Sequence, residues 1–311
     1  MQIEIDPHLA GLRYPYEVNL IGDARATLRR LLPLLNRKDK RGWQSEVIAG
    51  VERWKEVMAR RAAVSADPVN PEYVARAASP LLPDDTIVTS DSGSVANWYA
   101  RHITMRGTMR GSLSGTLATM GCGVPYAIGA KFAHPDRPVV ALVGDGAMQM
   151  NGMAELITIA KYQHQWEDPR LVVAVWNNRD LNQVTWEMRA MSGSPQFLPS
   201  QELPDVSYAA FGRLVGLTGI RVEKAEDVEG AWREALAAKG PAVLEFLTDP
   251  AVPPIPPHAD WDQVEATAAA IIKGDTDRRG VLRQGIKAKI QDFLPGEPKK
   301  SDDTHAAEGG K

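Results

Sequence analysis

Two kinds of apolar pattern alternate along this chain. Residues 139–143 (Val-Val-Ala-Leu-Val) and 171–176 (Leu-Val-Val-Ala-Val-Trp) are unbroken runs, the signature of strands buried on both faces of a parallel sheet. Between them, residues 151–163 carry Met153, Leu156, Ile157 and Ala160 at helical spacing. Together they predict a strand, helix, strand unit. Such a crossover brings the carboxyl ends of both strands to one edge of the sheet.

The same alternation extends in both directions. Residues 86–90 predict a short strand, and from Asp205 the pattern reads helix (206–215), strand (220–222), helix (225–238) and strand (242–247). The expected fold class is therefore α/β, a doubly wound parallel sheet, over residues 72–250. Upstream, residues 3–7 read as a strand and turn and 24–35 as a helix; one strand and one helix cannot enclose a core, so 1–36 is expected to be a partial domain. A charged helix over 42–63, with Trp43, Val47, Val51, Trp54 and Met58 on one side, predicts a connector that packs on the main domain within 37–71. Pro68 and Pro71 mark its end.

Downstream, Pro250, Pro253, Pro254, Pro256 and Pro257 force an extended exit. A carboxyl-terminal extension over 251–294 follows, with helices at 260–273 and 279–293. The second sets Leu282, Ile286, Ile290 and Phe293 opposite Arg283, Lys287 and Lys289, a basic amphipathic pattern that suits packing on another protein surface or peripheral contact with a membrane. Residues 295–311 read as a disordered tail.

Composition narrows the function classes. A formal net charge of -3 gives the 311 residues no global attraction for nucleic acid, and no run of eighteen apolar residues could span a bilayer. No secretory signal is recognised. The single cysteine, Cys122, excludes an intramolecular disulfide and fits a cytoplasmic setting as a buried packing residue. His8, His102, His134, His164, His258 and His305 lack zinc-ligand spacing.

The chemistry concentrates at the strand ends. Gly144-Asp145-Gly146 follows the first buried run and Asn177-Asn178 ends the second; alone, either is commonly turn chemistry. In this order, on one sheet edge and separated by one helix, they supply a carboxylate and a neutral amide oxygen. Magnesium takes about six oxygen ligands, one or two from protein and the rest from phosphates and water. Gly146 and Ala147 open the next helix with small side chains, so backbone N–H groups can reach phosphate oxygens at the positive end of its dipole. Gly121-Cys122-Gly123 is no dinucleotide fingerprint, because its third glycine is misplaced and no acidic residue follows at the required spacing.

Gly144-Asp145-Gly146 with Asn177-Asn178 resembles the thiamine diphosphate motif of the family that includes pyruvate oxidase, acetolactate synthase and pyruvate decarboxylase. The resemblance implies that Asp145 and Asn178 are side-chain ligands of Mg2+ and that Asp180 adds its backbone carbonyl, leaving its side chain free. Asp91-Ser92-Gly93-Ser94 resembles the first diphosphate-contacting loop, with Gly93 and Ser94 as contacts and Ser94 as the foremost donor. Thr119-Met120-Gly121 is similar to the turn whose methionine props thiamine in a bent shape; Met120 fills that place. Gly144, Gly146 and Ala147 complete the implied cofactor contacts.

The resemblance covers nearly the whole chain, to about Leu294, and runs closest to the pyruvate oxidase and quinone-linked pyruvate dehydrogenase branch, in Ile21 through Arg29 and Gly219 through Lys224 as well as in the motif. It implies a substrate side at Val184 and Glu187, and FAD bound mainly by a middle domain. Leu181-Asn182-Gln183 departs from it, standing where a glycine and an aromatic residue are usual. Members are about twice as long, so the expectation is a carboxyl-terminal half. It would need an amino-terminal half, separate or cleaved, that carries the pyrimidine-binding domain and the glutamate of the proton relay. The implied activity is decarboxylation of a small 2-oxo acid in a homo-oligomer; an acetolactate synthase-like carboligase and a cofactor-binding subunit without turnover are the alternatives.

Overall fold

The computed structural model describes residues 1–39, 41–254 and 261–292. The expected features at Pro256, Pro257, Asp260, Phe293 and 295–311, and the side chains of Lys289 and Ile290, lie outside the described residues. The chain divides into two compact units, Met1–Arg53 and Trp54–Lys311.

In the first unit β1 (Gln2–Glu4) pairs in parallel with β2 (Asn19–Ile21). Helix α1 (Ala24–Leu31) starts where the Asp23 side chain accepts from Ala26 N at 2.8 Å. It stops short of the expected 24–35 because Pro33 cannot donate to the helix interior, and Leu32–Leu34 tightens into a 3-10 turn. Helix α2 (Gly42–Ala62) passes into the second unit. Only its end is buried, through Val57, Met58, Arg61 and Ala62; Trp43, Val47 and Val51 stay exposed. The expected apolar stripe thus engages a core at Met58 alone.

The second unit opens with α3 (Pro71–Ala78), capped by the Asn70 side chain on Glu72 N. There follow β3 (Ile87–Ser90), α4 (Ser94–His102), β4 (Arg110–Ser112) and α5 (Gly123–Ala133). β5 (Val139–Gly144) runs into the short α6 (Asp145–Ala147), a π-helical turn Met148–Gly152 and α7 (Met153–Tyr162). β6 (Leu171–Asn177), α8 (Asn182–Ser192), α9 (Leu198–Gln201) and α10 (Tyr208–Leu214) come next. β7 (Thr218–Val222), α11 (Val228–Ala237) and β8 (Ala242–Leu247) complete the sheet.

All six strands are parallel, in the order β4-β3-β5-β6-β8-β7. Side chains alternate across the sheet: Val140 and Leu142 face a core shared with α3, α4 and α11, while Val139, Ala141 and Val143 face one shared with α5, α7 and α10. The chain leaves β3 toward β4 but leaves β5 toward β6, so the strand order reverses between β3 and β5. In open α/β sheets the crevice at the carboxyl ends of such strands is the ligand-binding position. One expected core residue is corrected: Ile157 of α7 is 55 % exposed, and Leu156 with Ile159 makes the contact instead.

The extension consists of α12 (Trp261–Ile272), packed along α8, and α13 (Arg278–Asp292). The buried Arg189 of α8 forms a two-pronged ion pair with Asp275, at 2.9 Å to each carboxylate oxygen. On helix α13 Leu282 and Ile286 of the basic amphipathic stripe are exposed, whereas Val281 and Gln284 are buried. The Gln284 amide donates to Asp249 Oδ2 at 2.9 Å, and the Lys287 ammonium reaches Ser65 O. Polar partners, rather than the Leu and Ile positions, set which face turns inward. Among the described residues no helix is long and apolar enough to cross a membrane.

Candidate functional site

Three loops meet at the reversal point. The loop after β3 is built on Asp91, whose fully buried carboxylate accepts from Ser92 N and Gly121 N at 2.8 Å and from Gly123 N at 2.7 Å. Burial pushes its pKa up in spite of those three amides. Asp91 thereby ties the first loop to the turn bearing Met120, and a Cβ on Gly123 would stand 3.0 Å from Asp91 Oδ2. Sequence reading missed this clip; an acidic residue directly after a buried strand was its only signal. Ser92 adds a second tie, its hydroxyl donating to Thr119 O at 2.8 Å.

The second loop carries Asp145, 4 % exposed at the end of β5. Its Oδ1 accepts from Gly146 N at 2.8 Å, and its Oδ2 from Asn178 N at 2.9 Å and Arg179 N at 2.6 Å. Two successive amides converge on one oxygen because Arg179 lies in the left-handed region at φ +59°. That conformation, strained by about 1 kcal/mol or more in a residue with a side chain, is held by the bond from Leu203 N to Arg179 O. Burial raises the Asp145 pKa to about 7; the amides pull it down and neighbouring Asp180 pushes it up. Beneath the loop, Tyr208 donates its hydroxyl to Asp145 O, a support that sequence reading also missed.

The third loop follows β6. Asn177 turns inward, its amide donating to buried Glu245 at 2.8 Å, while Asn178 Oδ1 accepts from Asp180 N at 3.0 Å. The expectation of a free Asp180 side chain is corrected: it is 5 % exposed and accepts from Thr185 Oγ1 at 2.8 Å and Gln196 Nε2 at 3.1 Å. A carboxylate that deep requires such donors. Ser94 donates its hydroxyl to Asn182 Oδ1 at 3.0 Å, so that proton is committed within the protein.

Gly93, Ser94, Met120, Gly144, Asp145, Gly146, Ala147, Asn178, Asp180 and Val184 all line one cleft. Glu187 stands one turn further along α8, exposed, joined to the cleft wall through Gln183. Gly146 is tight, because a Cβ there would lie 2.7 Å from Leu181 Cδ2, while Gly144 has open space. Among the described residues no group of three or more His, Cys, Asp or Glu is set to hold a metal. An ion here would draw on mixed oxygens: Asp145 Oδ1 and Asn178 Oδ1 each accept one hydrogen bond, leaving each a second lone pair. Hard oxygens of this kind, beside a carboxylate with only backbone N–H partners, fit a magnesium diphosphate.

Fold and cleft together define a doubly wound α/β protein with a polar crevice at its sheet reversal. Residues 91–246 match the family described as thiamine pyrophosphate enzyme, C-terminal TPP binding domain, and the chain belongs to that family. It is 30 % identical over 291 residues to the putative thiamine pyrophosphate-containing protein YdaP of Bacillus subtilis, covering 94 % of this chain and 49 % of the relative. It is 31 % identical to acetolactate synthase isozyme 3 large subunit of Escherichia coli (76 % of this chain, 40 % of the relative). With pyruvate oxidase of Lactiplantibacillus plantarum identity is 28 % (76 % and 38 %). The chain spans about half the length, or less, of the curated relatives it matches.

Proposed function

We propose that this chain supplies the diphosphate-binding side of a thiamine diphosphate and Mg2+-dependent enzyme that decarboxylates a small 2-oxo acid, in the manner of pyruvate oxidase. The observation that carries the reading is Asp145: a buried carboxylate at the sheet reversal, partnered only by backbone amides, beside Asn178 and the Asp180 backbone. Asp145, Asn178 and the Asp180 carbonyl would hold magnesium. Gly93, Ser94, Gly144, Gly146 and Ala147 would receive the diphosphate, and Met120 would support the bent cofactor. When bound, thiamine diphosphate supplies a nucleophilic carbon and an electron sink for cleaving the bond beside a carbonyl. The chain's own part is to fix the ion, orient the diphosphate and present Val184 and Glu187 to the substrate.

No residue of this chain is assigned the proton relay to the pyrimidine ring. We assign that role to a pyrimidine-binding domain outside these residues, in a homo-oligomer, with FAD held mainly by a middle domain if the reaction is an oxidation. Purified alone, the chain is expected to take up magnesium thiamine diphosphate but to release no carbon dioxide from pyruvate; joined to the complementary domains it should do both. Turnover by the isolated chain overturns the division of labour, and absence of magnesium-dependent cofactor binding overturns the site. The second reading is a carboligase, favoured by relatives named acetolactate synthase. Acetolactate as the product from pyruvate, with no flavin reduced, decides for it. Contact with a membrane through α13, and a cytoplasmic location, remain part of the proposal; vesicle sedimentation against a chain ending at Asp277 tests the former.

A further inference from the structure

Two side-chain bridges join the start of α4 to the start of α8 across the cleft mouth. Ser94 donates to Asn182 Oδ1 at 3.0 Å, and Asn97 Nδ2 donates to Gln183 Oε1 at 3.0 Å. Asn182 is pinned from behind, its amide donating to Pro250 O at 2.8 Å. Gln183 carries the second bridge onward: its Nε2 donates to Glu187 Oε1 at 3.0 Å, one turn along the helix. The order of donors is fixed. The Glu187 carboxylate can only accept, so the Gln183 amino group faces it, and the Gln183 carbonyl oxygen is left to accept from the Asn97 amino group.

We propose that Gln183, oriented by Asn97, is a positioning residue that holds the Glu187 carboxylate at the lip of the cofactor cleft. The inference rests on the reading of Glu187 as substrate-facing. Gln183 lines the cleft whereas Glu187 does not, so the carboxylate addresses the cleft only as far as this amide holds it there. An isolated glutamate on an exposed helix face samples several rotamers; one held by an amide that is itself tied to a second helix loses that freedom before substrate arrives. A phenylalanine or aliphatic side chain at position 183 could not do this, having no donor. Asn182 and Gln183 depart together from the residues expected in this loop, and each makes one of the two bridges.

The test is a mutant cycle in the complete enzyme with magnesium thiamine diphosphate, using Gln183→Met, which keeps length without the amide, Glu187→Gln, and both together. The readouts are pyruvate turnover and, independently of turnover, calorimetric binding of methyl acetylphosphonate, a pyruvate mimic that cannot lose carbon dioxide. Q183M should lower kcat and mimic affinity about tenfold with cofactor affinity unchanged. The double variant should be no worse than E187Q, and Asn97→Ala should reproduce the Q183M defect in part. Defects that multiply in the double variant show that Gln183 acts apart from Glu187 and overturn the proposal while leaving the cofactor reading intact. Loss of cofactor binding in the unmutated enzyme overturns both.

Discussion

Asp145 is expected to make cofactor uptake a proton-releasing event. In the cofactor-free protein its carboxyl titrates at about 7, so near pH 6 about nine molecules in ten carry a proton there, and near pH 8 about one in ten. Magnesium binds the ionised form, and the proton must leave. Titration with preformed magnesium thiamine diphosphate, in buffers of different ionisation enthalpy, should therefore count about 0.9 proton released at pH 6 and about 0.1 at pH 8. Affinity should fall about tenfold for each pH unit below 7. The sign for stability follows from the same group. Because the folded-state pKa lies above the ordinary 3.8, the protonated form favours the folded state at low pH, and that contribution is lost as pH rises from about 4 through 7. At about 1.4 kcal/mol per pH unit the loss approaches about 4 kcal/mol. Magnesium thiamine diphosphate should restore it above pH 7. A proton count that stays flat from pH 6 to pH 8 refutes the account.

Three further changes probe the architecture. Gly121→Ala places a Cβ 2.9 Å from the Asn151 amide at φ +97°, and should destabilise by about 1–3 kcal/mol in urea unfolding; a wild-type midpoint contradicts the turn. Arg189→Met strands Asp275 in a buried position and should cost about 3–5 kcal/mol, most of it recovered in Arg189→Met with Asp275→Leu. Without that recovery the pair matters for more than its charge. Tyr208→Phe removes the hydroxyl that donates to Asp145 O and accepts from Gln149. Thermal melting should report a loss of about 1–2 kcal/mol, with weaker magnesium-dependent binding of thiamine diphosphate; unchanged binding separates Tyr208 from the site.

What the sequence made legible was local. Short, β-branched unbroken runs such as 139–143 read as strands buried on both faces, and Asp145 and Asn178 share an edge once the helix between them is recognised. Strand β4 escaped because its three residues, Arg110 to Ser112, are all exposed on a sheet edge and carry no apolar pattern. The inward face of α13 was not legible because Gln284, a polar residue, is drawn inward by Asp249, 35 residues away. The Asp180 side chain was misjudged for the same reason: its donor Gln196 is 16 residues distant and is itself held by Thr276 Oγ1 at 2.8 Å. Periodicity reports the apolar face of an element and is silent about buried polar bonds between elements.

Those bonds also separate three aspartates that look alike in the sequence. Asp91, Asp145 and Asp180 each sit just after or within the turn that follows a buried strand, and each is at least nine-tenths buried. Their hydrogen bonds run to backbone amides and neutral side chains, which solvate a carboxylate but do not cancel its charge. Asp91 spends both oxygens joining two loops, and Asp180 spends its own anchoring α8 and the segment before α9. Asp145 differs from Asp91 in lining the cleft and from Asp180 in having only backbone amides as donors, and the Asn178 amide oxygen lies on the same loop as two of those donors. A divalent cation carried in on a diphosphate would offset its charge, and Oδ1, with one hydrogen bond, keeps a lone pair for it. That is why, of the three, Asp145 is the one whose removal should abolish cofactor binding, while the loss of either other aspartate should unfold a loop.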